Sequence, residues 1–132
     1  MTKVLLLMYR KLMSDAMASA LSENSEFELF LKQNYANAVS AAVRYTPGIA
    51  LVEIPESDGA RAHEYLQICA AIRRAVPTCK LMLMCPERSN VNKLAVVKAM
   101  SAGEIDNFVY YNVSMDYLLS MLAVLSNGQQ LN

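Results

Sequence analysis

Residues 47–54 have the sequence PGIALVEI. The stretch opens with the turn pair Pro47-Gly48, continues as an apolar run, and carries a single acid, Glu53, near its end. A short continuous apolar run that is bounded by turn residues is typical of a strand covered on both faces of a sheet. We therefore predict a buried strand over Ile49–Ile54 that carries a carboxylate near its carboxyl end.

Apolar runs of similar length recur along the chain and alternate with segments of helical spacing. The predicted strands are Val4–Met8, Phe27–Leu31, Ile49–Ile54, Leu81–Met84 and Phe108–Tyr111. The predicted helices are Leu12–Leu21, Asn34–Tyr45, Ala60–Val76, Asn90–Ala102 and Met115–Leu125. Because parallel strands need helical crossovers, the pattern predicts an α/β, doubly wound (βα)5 flavodoxin-like fold, with a five-stranded parallel sheet between helices. In such a sheet, ligands bind outside the carboxyl ends of the strands.

The composition indicates one globular domain. A length of 132 residues fits a single core, and a hydrophobic fraction of 55% is enough to cover a sheet on both faces. The formal net charge of +0 gives no overall field that would favour nucleic acid. The first apolar run is too short for a signal segment or a membrane span. The cysteines at positions 69, 79 and 85 fit reduced thiols, so we expect a cytoplasmic protein that does not associate with membranes.

The residues that follow the first strand argue against nucleotide binding. Tyr9-Arg10-Lys11 stands where a dinucleotide-binding or phosphate-binding glycine loop would begin. The single histidine, His63, has no evident catalytic partner, and neither a Ser/His/Asp set nor a metal-ligand spacing is found in the sequence. We therefore expect a protein that is not an enzyme and that holds neither a metal nor a cofactor.

Three segments, at residues 47–59, 72–85 and 99–114, resemble the receiver domains of bacterial two-component response regulators, most closely those of the LuxR and NarL type. Residues 47–53, followed by Asp58-Gly59, resemble the strand that ends in the phosphorylated aspartate. Residues 72–85 resemble the helix and strand that lead to the switch hydroxyl, and residues 99–114 resemble the segment that contains the invariant lysine. The resemblance implies a receiver-like domain over residues 1–127 and the start of a linker or tail at residues 128–132.

The same resemblance places unlike residues at the phosphorylation positions. The magnesium-binding acids fall on Met8 and Tyr9, the acceptor aspartate on Glu53, the switch hydroxyl on Cys85, the switch aromatic on Phe108, and the lysine on Tyr111, or on Tyr110 by a strict count. A thioether and a phenol are poor magnesium ligands, and a thiol is a weak donor to phosphate. The resemblance therefore implies a degenerate receiver, or pseudo-receiver.

Glu53 leaves two interpretations open. It is either an inert, hydrogen-bonded carboxylate at the rim of the crevice, or a fixed negative charge that mimics the phosphorylated form. The second interpretation needs a partner, because an unpaired carboxylate in a half-buried crevice is costly. Arg10 and Lys11 are candidate cations, and the hydroxyl groups of Tyr9 and Tyr111 are candidate donors.

The last predicted helix is more apolar than one sheet face requires, which suggests a homodimer or a partner contact. The predicted contact surface comprises Tyr110, Tyr117, Leu118, Met121, Leu122 and Leu125. We predict a phosphorylation-independent signalling domain that dimerises or binds a partner, as the regulatory part of a transcriptional regulator that reaches DNA only through a separate C-terminal domain. A small-ligand sensor that uses the crevice and a still phosphorylatable receiver remain as alternatives.

Overall fold

The computed structural model describes residues 2–23, 26–55, 62–87 and 90–127, and a parallel sheet runs through them. Its five strands are β1 (Thr2–Leu7), β2 (Phe27–Lys32), β3 (Ile49–Glu53), β4 (Lys80–Cys85) and β5 (Asn107–Tyr110). They lie in the order β2-β1-β3-β4-β5, so the direction in which the sheet grows reverses between β1 and β3. In doubly wound sheets, the crevice outside the strand ends at this switch point is the usual place for a site.

Helices cover both faces of the sheet. They are α1 (Lys11–Ser22), α2 (Ala38–Tyr45), α3 (Ala62–Ala75), α4 (Asn90–Ser101) and α5 (Met115–Ser126). Because side chains alternate along a strand, Leu5 and Leu7 of β1 pack with residues of α2, α3 and α4, whereas Val4 and Leu6 pack with α1 and α5. The predicted doubly wound (βα)5 fold is confirmed.

The apolar runs of the sequence account for the strands that are covered on both faces. Every residue of β3 is buried, and so are the last four residues of β1 and the last five of β4. The observed strand limits differ from the predicted ones by no more than two residues. None of the helices in the described ranges is long and apolar enough to cross a membrane.

The second helix begins later than predicted. The segment predicted as helical from Asn34 opens with a 3-10 turn over Tyr35–Asn37, and α2 begins at Ala38. The side chain of Asn34 accepts a hydrogen bond from the Ala36 amide at 3.0 Å, which favours a local turn over a regular helix. The predicted start of the third helix at Ala60 lies outside the described residues, as does the expected tail at residues 128–132.

The last helix packs into the core, which corrects the prediction of a contact surface there. Its Ser114 cap accepts a hydrogen bond from the Tyr117 amide at 3.1 Å, as a serine at this position favours. Four residues predicted to face a partner are instead buried against the sheet: Leu118, Met121, Leu122 and Leu125. The α5 side of the sheet needs this many apolar residues because only α1 shares that face with α5. Tyr117 is 52% exposed and remains on the surface.

Candidate functional site

The candidate site lies where β1, β3, β4 and β5 end. The main-chain hydrogen bonds of the sheet continue beyond the strands at this edge. The Ile54 amide donates to the Met84 carbonyl at 2.9 Å, and the Tyr111 amide donates to the Cys85 carbonyl at 3.0 Å. These bonds fix the main chain at the strand ends. They therefore limit the positions that the side chains of these residues can take.

Glu53, the last residue of β3, is the centre of the site. Its side chain is completely buried, and both carboxylate oxygens are used. Oε1 accepts the amides of Tyr9 and Arg10 at 2.9 and 3.0 Å, and Oε2 accepts Nε of Arg10 at 2.5 Å. The two amides and the guanidinium together compensate the loss of hydration that burying a carboxylate entails.

Local sequence explains why this carboxylate sits where it does. Tyr9 and Arg10 form the turn between β1 and α1, and Arg10 is the N-cap residue of α1. The Arg10 side chain does not cap its own helix, and the Glu53 carboxylate instead accepts the free amides before the first turn. A negative charge at a helix N-terminus is stabilised by the helix dipole, because amide groups there point outward without partners.

Tyr111 covers the guanidinium of Arg10. The Cζ atom of Arg10 lies 3.8 Å from the centroid of the Tyr111 ring, close enough for a cation–π interaction. The Tyr111 hydroxyl donates to the main-chain carbonyl of Ile54, one residue beyond Glu53. Tyr111 therefore connects the end of β5 to the end of β3 and holds Arg10 between its ring and the Glu53 carboxylate.

Tyr35 is a member of the site that the sequence did not indicate. Its hydroxyl lies 2.5 Å from the carbonyl oxygen of Glu53 and 3.1 Å from that of Leu7, so it links the ends of β3 and β1. Its ring packs edge to face against Tyr65 at a centroid distance of 5.3 Å. Burial, with the nearby negative charge of Glu53, raises the pKa of Tyr35 well above its ordinary value, so the phenol stays protonated and can donate.

The other predicted partners of Glu53 are placed differently. Lys11 points to the surface, where its Nζ pairs with Asp15 one helical turn away at 3.2 Å. Tyr9 contributes its main-chain amide to Glu53, while its side chain is 51% exposed. The Tyr111 hydroxyl goes to a main-chain carbonyl and not to the carboxylate. Arg10 is therefore the cation, of the two considered, that the structure brings to Glu53.

Cys85, Phe108 and Tyr110 lie toward the other layer of the molecule. Cys85 is buried in the cluster formed with α2, α3 and α4, and Phe108 and Tyr110 pack against that cluster. Met8 is buried in the opposite cluster, against which Tyr111 packs. Burial raises the pKa of the Cys85 thiol to about 12, so the thiol is protonated at neutral pH and is a poor nucleophile.

The residues at the positions that the resemblance assigns to magnesium binding and to the phosphate acceptor do not fit a magnesium ion. Met8 offers a buried thioether, and the Glu53 carboxylate is already engaged by two amides and a guanidinium. Magnesium requires hard oxygen ligands in an octahedral arrangement. Within the described ranges, no cluster of three or more His, Cys, Asp or Glu residues is arranged to hold a metal ion.

Comparison with known proteins identifies the fold. No protein-family model and no curated protein matches this chain. Among solved structures, a LuxR-family DNA-binding response regulator from Staphylococcus aureus matches with a TM-score of 0.76 at 16% identity, over 96% of this chain and 100% of that one. A response regulator from Thermotoga maritima matches with a TM-score of 0.76 at 19% identity, over 96% and 98% of the two chains.

A third structure, a CheY-like receiver domain protein from Methanospirillum hungatei, matches with a TM-score of 0.77 at 16% identity. That match covers 98% of this chain and 96% of the other. Identities this low establish the fold alone. The chain therefore has the flavodoxin-like fold of response-regulator receiver domains, with an ion pair between half-buried Arg10 and buried Glu53 at the carboxyl edge of its sheet.

Proposed function

We propose that this chain is a pseudo-receiver, a signalling domain that works without phosphorylation and acts through self-association or binding of a protein partner. The receiver fold supports a signalling role. The observation that carries the proposal is the Glu53 carboxylate, which is completely buried and bonded to the amides of Tyr9 and Arg10 and to the Arg10 guanidinium. An acceptor for a phosphoryl group would instead need a carboxylate oxygen open to solvent.

In this proposal, the site is held permanently in one charge state. Arg10 supplies the positive charge that the resemblance assigns to magnesium and lysine, and Glu53 supplies a fixed negative charge. The Tyr111 ring over Arg10 and its hydroxyl bond to Ile54 keep the end of β5 attached to this charge pair. The domain would then present one conformation of its β5 side to a partner, with no switching step.

The same geometry weighs against the two alternatives. A phosphorylatable receiver would have to release the Arg10–Glu53 pair and two amide bonds before the carboxylate could react. A ligand sensor that uses the strand-end crevice would have to displace the Arg10 side chain and the Tyr111 ring that lies 3.8 Å from it. Both alternatives therefore need an opening step that the pseudo-receiver does not.

A surface for self-association is available beside β5. This strand is at the edge of the sheet, with α4 and α5 on its two sides. Leu94 and Val97 of α4 are 68% and 46% exposed, and Tyr117 of α5 is 52% exposed. Exposed apolar residues on adjacent elements are typical of contact surfaces. We assign the association surface to these residues and to Tyr110 of β5, in place of the buried face of α5.

The wider setting extends the same proposal. One structural relative is described as a LuxR-family DNA-binding response regulator. We propose that this chain likewise regulates transcription from within the cytoplasm, and that any contact with DNA is made by a separate C-terminal domain.

Molar mass measured by light scattering over a concentration series tests the association. The unmodified protein should form a dimer, and addition of a small phosphodonor with magnesium should leave the dimerisation constant unchanged. Leu94→Glu combined with Tyr117→Glu should give a monomer, because dimerisation would then bury two unpaired carboxylates in the interface. Leu12→Glu is the matched control, since Leu12 is 86% exposed on α1. A monomer at every concentration without a phosphodonor, and a dimer only with it, would overturn the proposal.

A further inference from the structure

A cleft on the side of the molecule away from β5 has the chemistry of an anion site. It lies between α2 and the end of β2, the strand at the other edge of the sheet, and has a volume of about 200 Å³. We call it the α2 groove, and its lining residues are Lys32, Asn37, Ser40, Ala41, Arg44 and Tyr45. Its lining residues in the described part of the chain include two cations and no acid.

Both cations of the groove converge on one aromatic ring. The Lys32 Nζ atom lies 5.6 Å from the centroid of the Tyr45 ring, and the Arg44 Cζ atom lies 5.5 Å from it. Phe30 stacks on Tyr45 at a centroid distance of 4.0 Å and an interplanar angle of 17°, which fixes the position of the ring. Two positive groups are therefore held on a rigid support.

Neither cation has a carboxylate partner among the residues that the structure describes. The three ion pairs among the described residues involve Arg10, Lys11 and Arg73, so Lys32 and Arg44 have no carboxylate partner there. Helix α2 contains no acidic residue. The one acid of β2, Glu28, precedes Lys32 by four residues, a separation of about 13 Å at the usual rise of a strand.

We propose that the α2 groove binds a compact oxyanion of the phosphate class, either free phosphate or the phosphate group of a small molecule. Lys32 and Arg44 offer several N–H donors and no acceptor, so the complementary ligand is rich in oxygen acceptors. Arg44 provides the planar donor geometry that suits phosphate, and Lys32 provides a point charge. The volume of about 200 Å³ is enough to accommodate a group of the size of phosphate. This inference does not depend on the proposed signalling role.

Backbone amide NMR of the full chain, titrated with inorganic phosphate at constant ionic strength, tests this site. Saturable shifts are expected in α2 and at the end of β2, including the amides of Ser40, Arg44 and Tyr45. The double variant Lys32→Gln/Arg44→Gln should weaken binding at least tenfold. Glycerol phosphate should compete with inorganic phosphate if the groove recognises a phosphate group within a larger molecule. Succinate should bind more weakly, because each of its carboxylates is planar and carries one negative charge, whereas phosphate is a tetrahedral dianion.

The matched control removes one arginine charge and one lysine charge outside the α2 groove. Arg74→Gln/Lys98→Gln changes exposed residues of α3 and α4 and should leave phosphate binding unchanged. A second cleft, of about 490 Å³ and lined in part by Lys3 and Lys80, is the competing location. The inference is overturned if the shifts do not saturate, if both double variants weaken binding equally, or if Lys3→Gln/Lys80→Gln abolishes binding while Lys32→Gln/Arg44→Gln does not.

Discussion

At the scale of single residues, the Arg10–Glu53 pair is the most consequential contact. Glu53 is completely buried, whereas 32% of the Arg10 side chain is exposed. Removing the cation would leave a buried carboxylate with only two amide donors. We predict that Arg10→Met lowers the free energy of unfolding by about 2 kcal/mol, between the small effect typical of exposed pairs and the larger effect of buried ones. Urea unfolding measures this loss.

The neighbouring lysine provides the control for that variant. Lys11 pairs with Asp15 on the exposed face of α1, so Lys11→Met should change stability by less than about 0.5 kcal/mol. Equal effects of the two substitutions would mean that the Glu53 pair is no more important than a surface contact.

Tyr35 gives a second prediction at this scale. Tyr35→Phe keeps the ring and its contact with Tyr65 but removes the donor that serves the carbonyls of Leu7 and Glu53. The expected loss of unfolding free energy is about 1–1.5 kcal/mol, because two buried acceptors lose a partner. Tyr65→Phe should cost less than about 0.5 kcal/mol in the same urea unfolding experiment. A loss for Tyr65→Phe as large as that for Tyr35→Phe would refute this role.

The sequence could indicate part of this site and not the rest. Glu53 and Arg10 follow from their positions at the ends of neighbouring strands, since topology brings those ends together. Whether Arg10 or Lys11 reaches Glu53 depends on the direction of the first turn of α1. No pattern in the sequence indicates that direction. Tyr35 precedes an Ala-rich helix, and no pattern in its surroundings specifies where its hydroxyl points.

At the scale of elements, α5 belongs to the core more than to an interface. Leu122 is fully buried against the sheet. We predict that Leu122→Ala lowers the free energy of unfolding by about 2–5 kcal/mol, the range for truncating a buried leucine. Leu12→Ala, on the exposed side of α1, should change it by less than about 0.5 kcal/mol. A small effect of Leu122→Ala would restore the original assignment of this face to a partner surface.

The strands were predictable from sequence, whereas the function of the apolar helix was not. Apolar runs such as 4–8 and 49–52 are too short for a buried helix, so their length favours strands that are covered on both faces. An almost uncharged helix has two explanations, since core packing and partner contact both select apolar residues. The number of helices that share a sheet face decides between core packing and partner contact. That number is known only from the tertiary structure.

At the scale of the whole molecule, stability should depend on pH in the alkaline range. Burial raises the pKa of the Cys69, Cys79 and Cys85 thiols from 9.0 to about 12 each. Their contribution is complete below pH 9 and is lost as the pH rises toward 12, because the unfolded chain then releases protons that the folded chain retains. Each thiol should add a slope of about 1.4 kcal/mol per pH unit in this window.

Urea unfolding at a series of pH values measures this dependence. Cys85→Ala should reduce the slope above pH 9 by the contribution of one thiol. Tyr35→Phe should leave the slope near pH 9 almost unaltered, because the ordinary pKa of a tyrosine is 10.0 and the contribution of Tyr35 is lost only as the pH rises past that value. A stability that stays constant through pH 11 would show that the thiols are not buried as the fold requires.

We propose that the ion pair between Arg10 and buried Glu53 replaces phosphorylation chemistry in this receiver fold. Intact-mass measurement after incubation with a small phosphodonor and magnesium tests it most directly, with a receiver that has the usual aspartate in the same tube as the positive control. The control should gain a phosphoryl group, and this protein should keep its mass. A phosphoryl adduct on this protein that is lost in Glu53→Gln would contradict it.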